Sequence, residues 1–255
     1  MRVLFIGDII GRPGRDLVGE LLPSLKAELG IDICLANGEN AAGGFGITPA
    51  VCSELLGLGI DLLTSGNHIW DKKEVEGYIQ MEPRLLRPAN YPPGVPGGGT
   101  FILEKKEHRL GVINLSGRTF MGELDCPFRV AEEAVSRLRQ QTRTILVDFH
   151  AEATSEKRAF GWFMAGKVSA VIGTHTHVQT ADEQILPGGT AYITDVGMTG
   201  ARESVIGIVK EDAIARFLTQ MPRKYGVAKG SPQFNGVVID IDPNGQAIGI
   251  VRINR

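Results

Sequence analysis

The sequence predicts an α/β fold. Short apolar runs recur at 2–7, 31–36, 60–64, 144–149 and 168–172, and each halts at a glycine or a polar cluster. Runs of that length and composition read as strands buried on both faces. Segments of helical spacing alternate with them, the pattern of strands joined by crossover helices. At 255 residues, with no repeat, low-complexity tract or linker, 1–255 reads as one domain.

The elements follow in order. After the first strand come Asp8, a turn at Gly11, Pro13 and Gly14, and a helix over 16–29 with Leu17, Leu21, Leu22, Leu25 and Leu29 on one face. Pro23 predicts a kink or a later start. The second strand, 31–36, empties into Asn37-Gly38-Glu39-Asn40 and a small-residue loop over 41–46. No Gly-Lys-Ser/Thr follows, so this is not a phosphate-cradling P-loop, and Gly7, Gly11 and Gly14 do not have dinucleotide spacing. Thr48-Pro49 caps a helix over 50–58. The third strand, 60–64, ends in Ser65-Gly66-Asn67-His68, with a helix predicted over 70–79.

A Pro- and Gly-rich excursion over 83–99 precedes a hairpin, 100–104 with 109–115, whose charged turn carries His108. The loop Ser116-Gly117-Arg118-Thr119 offers hydroxyls and a guanidinium for phosphate oxygens, and it equally fits an ordinary strand exit. A helix at 128–141 leads to the strand 144–149, which ends at His150. A helix at 155–165 leads to the strand 168–172, which ends in Gly173-Thr174-His175-Thr176-His177. Further elements are a strand at 190–194, a helix at 211–218 and a hairpin, 237–241 with 247–253, across Asp242-Pro243-Asn244-Gly245.

Composition narrows the function classes. Hydrophobic residues make up 43% and charged residues 22%, with a net charge of −2. No bulk positive field marks a nucleic-acid binder. Cys34, Cys52 and Cys126 are an odd, scattered set without Cys-x-x-Cys spacing, so no disulfide framework is expected. Met1 leads straight into a strand without a signal-peptide pattern, and no run has the length of a membrane span. A cytoplasmic protein is the expectation, as is a homo-oligomer, with 94–101 as the apolar loop to join subunits.

The chemistry lies in the strand ends. In open α/β sheets ligands bind at the carboxyl edge, and that edge receives Asp8, Glu39-Asn40, Asn67-His68, His150 and His175-x-His177. In an extended segment residues i and i+2 share a side, so both His175 and His177 can face one site. Any one of these is weak, since an isolated His-x-His is equally a pair of surface-loop histidines. Together they supply oxygen and nitrogen donors with no thiolate, a set suited to catalytic iron, manganese or zinc. There are more donors than one ion needs.

With Gly38-Glu39-Asn40, Gly66-Asn67-His68 and Gly173-x-His175-x-His177 in this order, the chain resembles the calcineurin-like metallophosphoesterases. It resembles their YmdB-like branch nearly end to end, including Asp195-Val196-Gly197-Met198-Thr199-Gly200. It departs from the wider superfamily in three places. Asp8-Ile9-Ile10 stands for Asp-x-His, Glu39 for the bridging aspartate, and Ile69 for the acid that follows Asn-His. The resemblance implies a β-sandwich flanked by helices in α/β/β/α layers, with a dinuclear site at the strand ends. It implies one ion on Asp8, Glu39, Asn40 and His177, a second on Glu39, Asn67, His150 and His175, and Glu39 as the bridge. Iron is the first expectation, with manganese or zinc as alternatives.

His68 would stay off the metals to orient the phosphate and protonate the leaving oxygen, a task that suits an imidazole. The implied activity is hydrolysis of 2′,3′-cyclic nucleotides, related small phosphodiesters or RNA ends by a two-metal-activated hydroxide. Ser116, Arg118, Thr119 and the loop after Asn40 are expected to touch substrate. The rival readings are a phosphomonoesterase or nuclease on the same centre and a metal-nucleotide-binding regulator with little turnover.

Overall fold

The computed structural model describes residues 1–255. The opening apolar run forms β1 (Arg2–Ile6), and β2 (Asp8–Ile9) follows after Gly7. Helix α1 (Gly11–Leu29) starts at the predicted turn and runs through Pro23 without a break. Pro13 sits in its first turn, where no N–H is needed. Pro23 costs the helix a hydrogen bond, which burial of Val18, Leu22 and Leu25 offsets.

Next come β3 (Ile33–Asn37), α2 (Pro49–Gly57) and β4 (Leu62–Thr64). Thr48 caps α2 by accepting the Val51 N–H at 3.3 Å. The helix predicted over 70–79 shrinks to α3 (Val75–Tyr78). Turns occupy the preceding residues instead, with Ile69 N–H donating to the Gly66 carbonyl and Asp71 N–H to the His68 carbonyl.

The predicted hairpin is β5 (Thr100–Lys105) with β6 (His108–Ser116). Then follow α4 (Pro127–Leu138), β7 (Ile145–His150), α5 (Thr154–Met164), β8 (Ala170–Thr174), β9 (Gln184–Leu186) and β10 (Thr190–Ile193). The chain closes through β11 (Met198–Ala201), α6 (Lys210–Thr219), β12 (Pro232–Gln233), β13 (Asn235–Ile241) and β14 (Ala247–Asn254). β2, β9, β11 and β12 have no strand signature in the sequence, because each is too short to show a period.

Two main sheets form, in the orders β14-β13-β1-β3-β4 and β5-β6-β7-β8-β10-β9, with a small sheet β12-β11-β2 at the side. The central pairs β1–β3–β4 and β6–β7–β8–β10 are parallel. Alternation along β1 explains the layers. Val3 and Phe5 join Val112, Leu146 and Ile172 in a core between the sheets. Leu4 and Ile6 face the other way, onto Leu22 and Leu25 of α1. On the far side Ile113, Val147 and Phe149 pack against Ala134 of α4 and Phe160 of α5. The result is a helix–sheet–sheet–helix stack whose parallel strands end along one edge.

Cys34 and Cys52 are free and buried in the core. No helix is long and apolar enough to cross a membrane. Phe101 of the 94–101 loop packs inward on the inter-sheet core. α6 carries a cluster of exposed apolar groups, Ile214, Phe217 and Leu218.

Candidate metal centre

The carboxyl edge gathers the predicted donors. His150 ends β7, and its Nε2 lies 3.0 Å from Glu39 Oε1, 3.1 Å from Asn67 Oδ1 and 3.0 Å from His175 Nδ1. Donor atoms of Glu39, His150 and His175 all lie within 4.8 Å of one another. His177 Nε2 sits 3.3 Å from Asn40 Nδ2 and 3.8 Å from Asp8 Oδ1. Asp8, Glu39 and His150 are fully buried.

The two loop histidines reach this edge by a route the sequence does not reveal. The sequence predicts an extended segment, but His175 has φ 102° and His177 φ 66°. Side chains rarely adopt such backbone, and it persists where surrounding contacts enforce it. Here His175 N–H donates to Asp8 Oδ2 at 3.3 Å and Thr176 N–H to Asp195 Oδ2 at 3.0 Å. Asp195 is itself paired with buried Lys157 at 2.6 Å.

Whether these residues suit metal ions follows from their free atoms. Asp8 Oδ1 and Asn40 Oδ1 are buried without a hydrogen-bond partner, a costly state that a cation removes. Each histidine also has its outer nitrogen engaged. His150 Nδ1 meets Thr174 Oγ1 at 2.9 Å, and that hydroxyl donates to Asp148 Oδ1 at 2.7 Å. His175 Nε2 meets Glu152 Oε2 at 3.0 Å, and His177 Nδ1 meets the Ile206 carbonyl at 2.9 Å. An N–H on each outer nitrogen leaves the inner nitrogen's lone pair facing the cluster, the arrangement that metal-ligating histidines use. The donor set fits divalent ions.

Charge is tightly linked across the cluster. Burial opposes ionisation of Glu39, but the His150 charge and hydrogen bond outweigh it and hold the carboxyl at about 2. Burial likewise opposes charge on His150, yet Glu39, Asp8 and Asp148 raise it to about 9. His175 falls to about 3 through burial and the charge of His150. Metal binding must expel the proton that the metal-free cluster keeps on His150.

Above the donors opens a cavity of about 240 Å³ lined by Glu39, Asn40, His68, His175 and His177 among fifteen residues. His68 N–H donates to Glu39 Oε2 at 3.0 Å, while its ring contacts Asp71 and, edge to face, Phe45. Gly44 and Phe45, from the loop after Asn40, reach this cavity. Ser116, Arg118 and Thr119 lie outside it. Ser116 is buried with its N–H on Asn90 Oδ1, and the Arg118 and Thr119 N–H groups bind Glu156. Arg118 and Thr119 border a separate surface depression. Asp71, Glu152, Thr174 and the wall of Ile206, Ile208 and Val227 are the parts sequence reasoning missed. Of these only Asp71, shortly after Asn67-His68, leaves a readable signal.

The whole chain superposes on a 5′-nucleotidase precursor structure from Thermus thermophilus with TM-score 0.60 at 14% identity, covering 100% of this chain and 54% of that one. That likeness concerns the fold alone. A model of the YmdB-like protein family matches residues 4–253, and the chain belongs to that family. A Bacillus subtilis (strain 168) protein named 2′,3′-cyclic-nucleotide 2′-phosphodiesterase is 51% identical over 254 residues, 99% of this chain and 96% of its own length. The crystal structure of a hypothetical protein from Thermus thermophilus superposes with TM-score 0.94 at 42% identity, covering 100% of this chain and 99% of that chain.

Proposed function

We propose that the chain is a metal-dependent phosphodiesterase that opens 2′,3′-cyclic nucleotides or related small phosphodiesters. Asp8, Glu39, Asn40 and His177 would hold one ion, and Glu39, Asn67, His150 and His175 a second. Iron comes first, and manganese or zinc suits the same oxygen and nitrogen donors. When bound, the ions supply an acidified water as nucleophile and offset charge on the phosphoryl oxygens.

The chain's own groups do the rest. The Asp8, Glu39 and histidine network fixes the donors before substrate arrives. His68, in the cavity but outside both donor sets, hands a proton to the ribose oxygen as its bond to phosphorus breaks. Water adds to phosphorus, and the ring opens to a phosphomonoester.

The observation that carries this reading is the pair of buried, partnerless oxygens, Asp8 Oδ1 and Asn40 Oδ1, beside the Glu39–His150–His175 cluster. The test is elemental analysis of protein purified without added metal, beside 2′,3′-cyclic AMP hydrolysis for wild type, Glu39→Gln and His68→Ala. The expected result is about two metals per chain in wild type, loss of metal and activity in Glu39→Gln, and retained metal with lost turnover in His68→Ala. Metal-free wild type that still hydrolyses the substrate would overturn it.

A further inference from the structure

Beside the donors, the same cavity is walled by Ile10, Phe45, Ile206, Ile208 and Val227. These groups come from four separate segments that are locked together. Ile208 pairs with Val227 through an antiparallel bridge. Val227 in turn wedges between Gly11 and Gly44, where an added Cβ would lie 2.9 and 2.7 Å from its methyls. Any larger residue at either glycine would displace the wall. Ile206 holds φ 49° with 43% of its surface exposed. A β-branched residue in left-handed backbone is strained, and such strain gathers at ligand sites. The Ile206 carbonyl also anchors His177 at 2.9 Å, so the wall and the donor cluster are mechanically one unit.

Charge is the second observation. None of the fifteen lining residues is Lys or Arg, and Glu39 and Glu152 are both among them. A chain of phosphates needs Lys or Arg to track it, and this cavity has none. It offers metal donors for one phosphate and an apolar face for whatever is attached to it.

We propose that this wall is a nucleobase pocket, so that the site selects a mononucleotide cyclic phosphodiester over an RNA end. The inference rests on the phosphodiesterase reading above. The base lies against Phe45 and the aliphatic groups of Ile10, Ile206, Ile208 and Val227, and the cyclic phosphate lies at the donors. Base–aromatic contact is sequence-tolerant, because every base presents a π-face, so purines and pyrimidines are both accepted.

The test uses Phe45→Ala and Ile206→Asn, the latter chosen because Asn tolerates left-handed backbone. Each is assayed with 2′,3′-cyclic AMP and with the base-free diester glycerol 1,2-cyclic phosphate. The ratio of kcat/KM for the nucleotide to that for the base-free diester falls about tenfold in both variants. In wild type, a short RNA ending in a 2′,3′-cyclic phosphate is a poorer substrate than cyclic AMP. Independently of activity, adenosine binds the metal-free chain in saturation-transfer NMR, ribose does not, and both variants lose the adenosine signal. An unmoved ratio, a preference for RNA, or adenosine that fails to bind would each overturn the pocket. Wild type that hydrolyses neither diester would sink the phosphodiesterase reading, while adenosine binding would still decide the pocket.

Discussion

Asp71 Oδ2 lies 2.8 Å from His68 Nδ1, three residues down the chain in the turn after β4. Ile69, directly after Asn67-His68, is fully buried in the core. An acid there would be buried among apolar side chains with its charge unpaired. The turn that replaces the predicted helix carries Asp71 round to the His68 ring instead.

This contact makes Asp71 a positioning residue. It holds the His68 ring by Nδ1 and, on the proposed mechanism, leaves Nε2 for the leaving oxygen. Asp71→Asn is expected to lower kcat roughly tenfold with little change in KM, and His68→Ala by 10²-fold or more, on the order of a lost general acid. Both should retain wild-type metal content. Metal lost from Asp71→Asn would place the residue in the metal centre instead.

Gly66 touches His150 where no side chain fits. A Cβ there would lie 2.1 Å from His150 Cδ2. Gly66→Ala therefore displaces a buried donor, and metal content and activity are expected to fall together while the circular dichroism spectrum is kept. Gly57→Ala is the control. It lies in α2 with nothing within 4 Å of the added methyl, and it is expected to stabilise the chain by about 0.5–1 kcal/mol with metal content unchanged.

The site is more legible than its surroundings for a physical reason. Asp8, Glu39, Asn40, Asn67, His150, His175 and His177 each follow an apolar run closely, so strand and donor are read in one local pattern. Direction is harder. His175 and His177 converge through positive φ enforced by Asp8 and Asp195, contacts made by residues away from them in the sequence. Arg118 and Thr119 suit phosphate by residue type, yet their amides answer Glu156 across the fold. Single apolar residues in irregular chain, such as Ile206 and Val227, have no period to read. α1 shows the limit of local rules, since tertiary burial of one face overrides Pro23.

Lys157 and Asp195 form an ion pair with neither side chain more than 1% exposed. Asp195 also accepts the N–H groups of Thr176 and Gly197 at 3.0 and 2.9 Å. Lys157→Met leaves that carboxylate buried and unpaired, at a cost of about 3–5 kcal/mol. Because Thr176 stands between the two loop histidines, metal affinity should weaken in the same variant. Urea denaturation of the metal-free chain and a manganese titration check the two effects. Lost stability with unchanged affinity would show that the pair serves the fold alone.

Asp148 gives the metal-free chain a distinctive pH dependence. It is fully buried, accepts hydrogen bonds from Thr64 and Thr174, and burial pushes its carboxyl from 3.8 up to about 7. Between those values the folded chain keeps a proton that the unfolded chain has released, so stability falls as pH rises through the window. His150, raised from 6.5 to about 9, acts next. Its contribution is complete below pH 6.5 and is lost as pH rises towards 9. His175, depressed from 6.5 to about 3, works the other way and offsets Asp148 below pH 6.5, so the Tm of metal-free wild type should stay nearly level up to about pH 6.5 and decline from there to about pH 9. Asp148→Asn should make the Tm rise with pH below about 6.5, where His175 then acts alone, and leave the upper decline. Metal loading should remove the upper part, because a ligating His150 is already neutral. Thermal melts of both chains across that range, with chelator and with added manganese, separate the two groups. A wild-type Tm that does not fall between about pH 6.5 and 9 would mean that His150 carries no extra proton in the folded state, and an Asp148→Asn profile unchanged below pH 6.5 would mean the same of Asp148.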